Sequence, residues 1–135
     1  MSGYRFGRSL KPFRRPLLWS VLWCMAVASV VVLSLMPMPD LGDLPEHSDK
    51  FEHFITYAVL ACGAVQLYPR WRSLLVVGVA LVLMGIGLEY AQRALTTTRM
   101  MDRADALANT LGVIAGLAVQ LTPFRDALLR FDTRR

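Results

Sequence analysis

The chain has 135 residues, 55% of them hydrophobic, and a mean hydropathy of +0.42, which excludes an ordinary soluble domain and points to the membrane class. Its net charge of +5 does not imply nucleic acid, because the basic residues gather at the chain ends: Arg5, Arg8, Lys11, Arg14 and Arg15 before the first apolar run, and Arg125, Arg130, Arg134 and Arg135 after the last. Flanks of this kind answer to anionic headgroups and to the positive-inside rule.

The first element, about 17–36, is LLWSVLWCMAVASVVVLSLM, 20 residues without a charge and long enough to cross roughly 30 Å of hydrocarbon as a helix. A cleaved leader is the competing reading, but Ala26 and Ala28 lie inside the run and further apolar segments follow. The loop PMPDLGDLPEHSDK, residues 37–50, leads to a second span, about 51–68. YPRW, residues 68–71, turns the chain into a third span, about 72–93, with aromatics suited to an interface. ALTTTRM, residues 94–100, joins this to a fourth, about 103–122. Cys24 and Cys62 fall within spans and carry no redox signal.

The expected fold is therefore all-α, a single four-span transmembrane bundle. Eleven basic residues lie on the side of the termini and the Arg70/Arg72 turn, against four (Lys50, Arg93, Arg99, Arg103) opposite. Both termini are expected in the cytoplasm. Eight acids (Asp40, Asp43, Glu46, Asp49, Glu52, Glu89, Asp102, Asp105) then face outward.

Spacings of three and four place Lys50, His53, Tyr57, Leu60 and Ala64 on one stripe of the second span. Gly78, Val82, Gly85, Glu89 and Gln92 share a stripe of the third, and Asp102, Asp105, Asn109, Gly112 and Gly116 one of the fourth. Each stripe is polar at its outer end, and the glycines below allow backbones to approach closely. The polar heads are expected to meet, since an unpaired charge at membrane depth is expensive.

DKFEHFITY, LEYAQ and RMMDRADALANTLGVIAG together resemble the VanZ-like family, whose pattern falls here on Asp49, Lys50, His53, Phe54 and Tyr57, on Glu89 and Gln92, and on Arg99, Asp102, Asp105, Asn109, Gly112 and Gly116. The resemblance covers about residues 49–118. It implies a small bacterial envelope protein of the inner membrane, from a family named for a member associated with teicoplanin resistance, whose molecular activity is not settled.

The plainest role for each polar residue is structural. His53 can serve as a buried hydrogen-bonding group, Glu89 and Gln92 as a pair tying the third helix to the fourth, and Asp102 as a helix cap with Arg99 neutralising it. Asp105 and Asn109 lie deeper and favour function. A single histidine near acids falls short of the three or four ligands a metal site needs, so the sequence predicts neither metal nor cofactor. The expected activity is recognition, by an outer pocket, of a membrane lipid or lipid-linked wall-precursor headgroup, with Lys50 and Arg99 facing phosphate. The alternative is an intramembrane hydrolase or transferase with His53, Glu89 and Asp105 as candidate catalytic groups. Transport is disfavoured because the cytoplasmic halves of the spans are almost wholly apolar, although an oligomer would change that.

Overall fold

A computed structural model describes residues 9–36, 42, 48–95 and 102–134. Every regular element among them is helical. Helix α1 spans Pro16–Leu35, α2 Ser48–Leu67, α3 Trp71–Leu95 and α4 Arg103–Leu117. Two single 3-10 turns, Ala118–Leu121 and Pro123–Asp126, lead into a short helix α5, Ala127–Thr133. The expected boundaries differ most at the fourth span, which loses α-helical form after Leu117 and continues as a 3-10 turn.

Among the described residues three helices are long and apolar enough to cross a membrane: Pro16–Leu35, Trp71–Leu95 and Arg103–Leu121. The chain is read on that basis as a membrane protein. Helix α1 has no buried residue, and Leu17, Met25 and Leu33 are 76%, 60% and 65% exposed. An apolar helix so uncovered is at home in hydrocarbon. Helix α2, expected as a fourth span, does not meet the same composition, because Asp49, Lys50, Glu52 and His53 occupy its first turns. It is nonetheless well enclosed. Tyr57, Leu60, Ala61, Ala64, Val65 and Leu67 are all buried, against α4 above all and against α1 and α3.

Most of the expected stripe positions are buried, but on α3 Val82 is only partly so and the seam runs through Leu74, Leu81 and Leu88 as well. On α3, Leu74, Gly78, Leu81, Gly85, Leu88 and Gln92 are buried in alternating steps of four and three, the period of knobs-into-holes packing. On α4, Gly112 and Gly116 abut the backbone of α2. A methyl at 112 would run into the Phe54 carbonyl and stand 3.1 Å from the Ala58 nitrogen, and one at 116 would stand 2.6 Å from Ala61 Cβ. Only glycine permits so close a pairing.

The end of the bundle holding both described chain ends is stitched by polar contacts that the sequence reading did not foresee. Lys11, counted in the basic flank before the first span, is 5% exposed. Its ammonium donates to the carbonyls of Val65 and Arg125 and pairs with Asp126 at 2.9 Å, matching all three donors. Asp132 is likewise buried, accepting from the Arg14 amide and, at 3.0 Å, from the Trp19 indole. The ion pair with Lys11 is the main cause that holds the Asp126 carboxyl below its usual range. Asp126 and Asp132 are the two acids not counted at the opposite face, so a pairing with the basic flanks was the readable signal.

The glycine contact makes a direct prediction. Gly112→Ala should destabilise the detergent-solubilised protein by about 1–3 kcal/mol, the usual range for overpacking. Gly87→Ala, with nothing within 4 Å, should be neutral or slightly stabilising. Thermal unfolding of both variants is the check, and equal midpoints would contradict the packing.

Candidate functional site

The end opposite Lys11 gathers the polar residues of three helices. Helix α4 begins where the Asp102 side chain accepts the Ala104 N–H at 2.8 Å, a normal cap. The same carboxylate pairs with Lys50 of α2 at 3.2 Å. The Ala104 N–H first, and Lys50 second, hold the Asp102 carboxyl below its usual range, and Asp102 in turn raises the Lys50 ammonium. This pair forms the half-exposed mouth of the site. Asp49 beside it is exposed.

One turn further along α2, Nδ1 of His53 lies 3.0 Å from Oδ1 of Asn109. A carbonyl oxygen only accepts, so in the neutral ring the proton sits on Nδ1 and the lone pair on Nε2. Asn109 is 2% exposed. It is held against Gly85 of α3, where a Cβ would stand 2.9 Å from its Nδ2 and 3.2 Å from the Tyr57 hydroxyl. Glycine at 85 thus gives both side chains their room.

A ring nitrogen of His53 and one carboxylate oxygen each from Glu89 and Asp105 lie within 4.8 Å of one another. The three groups come from α2, α3 and α4. Glu89 and Asp105 are 4% and 8% exposed. Three buried side-chain oxygens among the described residues lack a hydrogen-bond partner, those of Ser20, Gln120 and Asp105. Only that of Asp105 belongs to an ionisable group, for which a missing partner is most expensive.

The structure therefore brings together Lys50 and Asp102 at the mouth, and His53, Tyr57, Glu89, Asp105 and Asn109 below it. Gln92 is buried near the end of α3. Its amide donates to the Ser34 carbonyl at 2.7 Å, tying α3 to α1 where a tie to α4 was expected. The chain's backbone carbonyls carry no sequence signature, so that partner was invisible beforehand. Arg99, and with it His47, Asp40, Asp43 and Glu46, lie outside the described residues.

Chemically, the cluster offers one imidazole and two carboxylates as hydrogen-bonding or ligating groups. Such a set suits a cation, a proton or the hydroxyl and amine groups of a ligand. Compared with protein-family models, with curated proteins and with solved structures, the chain matches none.

A carboxylate placed for a ligand weakens the empty fold. Asp105→Asn, which removes the charge and keeps the shape, should raise the stability of the ligand-free protein by about 1–2 kcal/mol. Thermal unfolding in detergent at neutral pH tests this, and a large destabilisation would mean that the carboxylate is structural.

Proposed function

We propose that the chain is a bacterial inner-membrane protein of four helices with both termini cytoplasmic, and that its polar chamber receives the headgroup of a lipid or lipid-linked wall precursor. The observation that carries this reading is the meeting of His53, Glu89 and Asp105 within 4.8 Å, beneath the Lys50–Asp102 pair. Lys50 is the described cation at the mouth, where a phosphate entering from the headgroup layer would first meet protein. The deeper acceptors would take the hydroxyl or amine groups that such headgroups carry. The excess of basic residues near the Lys11 end supports the orientation. The three motif blocks support membership in the VanZ-like family, and through it a link to glycopeptide susceptibility.

A second reading, an intramembrane hydrolase or transferase, is favoured by one feature. With Nδ1 held by Asn109, the neutral imidazole presents Nε2 as a base, beside carboxylates able to orient a substrate. Turnover of labelled polyprenyl phosphates or phospholipids would separate the readings.

Native mass spectrometry of the full chain with phosphatidylglycerol and with polyprenyl phosphates tests binding. Lys50→Glu and Asp105→Ala should each retain at least about 10-fold less lipid than the parent, the loss expected of one charge-assisted hydrogen bond. Leu121→Ala, on an exposed apolar side chain, should retain as much. Equal retention in all four proteins would sink the reading.

A further inference from the structure

We propose that His53, Glu89 and Asp105 form a binding site for a divalent transition-metal ion, Zn²⁺ first among them. The donors are of the right kind, one imidazole nitrogen and two carboxylate oxygens, brought from three helices to within 4.8 Å of one another. Around a tetrahedral ion with bonds of about 2.1 Å, donors stand roughly 3.4 Å apart.

Two further observations separate this cluster from a chance grouping of acids. The first is the Asp105 oxygen, on a side chain 8% exposed, that has no hydrogen-bond partner. A carboxylate oxygen buried in this way is costly unless it takes a proton or meets a cation. The second is the hydrogen bond between His53 Nδ1 and Asn109 Oδ1 at 3.0 Å. A histidine that ligates a metal through one nitrogen characteristically donates its other N–H to a carbonyl or carboxylate, which fixes ring and tautomer. Asn109 fills that place as a positioning residue, and Gly85 makes room for it.

Charge favours the same assignment. Two carboxylates and an imidazole are a donor set that suits a dication. Three protein donors leave coordination positions open to water or to an anionic oxygen, so a bound ion would also lift the repulsion that a phosphate meets at the acids. The metal site rests on these donors and their contacts and stands whether or not a lipid binds.

The test uses the tag-free full chain in lipid-free detergent, stripped with a chelator and titrated with Zn²⁺, and with Co²⁺ as a spectroscopic probe. One Zn²⁺ should bind per chain, raise the thermal midpoint, and give way to Co²⁺ with the visible absorption of a four- or five-coordinate ion. His53→Ala and Asp105→Asn should each weaken Zn²⁺ binding by more than about 100-fold, and Asn109→Ala by about 10–100-fold. Asp126→Asn, at the opposite end of the bundle, should bind as the parent does. A midpoint for metal-free Asp105→Asn at or above the parent's shows that this variant is folded. Absence of a stoichiometric ion, or equal affinity in Asp105→Asn, overturns the site. Intact Zn²⁺ binding with lost lipid selectivity would count against the headgroup reading alone.

Discussion

The contact of Gly112 and Gly116 with the backbone of α2 is the constraint from which the rest of the molecule follows. At that distance α4 is held in one register against α2, because any side chain between them would force the helices apart. Continuing up the same stripe by three and then four residues places Asn109 beside His53 and Asp105 above it. Gly85 repeats the device on α3, admitting Asn109 and Tyr57 against its backbone and leaving Glu89 one turn away on the same face. Packing seam and polar chamber are thus one feature, and loosening the seam would disperse the chamber.

The two ends of the bundle treat buried charge differently, and the difference is informative. Lys11 has three acceptors for three donors, and Asp132 has a donor on each oxygen. Those charges are closed upon the protein and lock the amino-terminal segment to the end of α2 and to the carboxy-terminal turns. A network of that sort stabilises a fold and recognises nothing. At the His53 end Asp105 keeps an oxygen without a partner, among groups that are otherwise well placed. Folding alone would select a neutral or fully paired residue there. That unmatched oxygen is the feature on which the proposed ligand role rests.

Much of this was legible because helical spacing reports which residues share a face. Periodicity alone put His53, Glu89 and Asp105 on stripes whose polar ends point the same way, and short turns between apolar helices brought those ends together. The roles of Gly112 and Gly116 were readable on the same grounds. Three things were not. The burial of Lys11 and Asp132 arises from segments without apolar periodicity, where only tertiary contact decides exposure. The attachment of Gln92 to α1 goes to a backbone carbonyl, which every residue type provides. The apolar character of α2 falls short of a span by itself, since its polar first turns are matched by side chains that neighbouring helices bring, a compensation visible only in three dimensions. The metal proposal arises from geometry: the sequence shows one histidine near acids, whereas the fold brings donors from three helices within 4.8 Å of one another.

The most direct measurement is anomalous diffraction from crystals of the tag-free, full-length protein grown with Zn²⁺, recorded on both sides of the zinc absorption edge. The account predicts one strong edge-dependent peak enclosed by His53, Glu89 and Asp105. A chamber without that peak at stoichiometric Zn²⁺, or a peak held only by surface groups elsewhere, would contradict it.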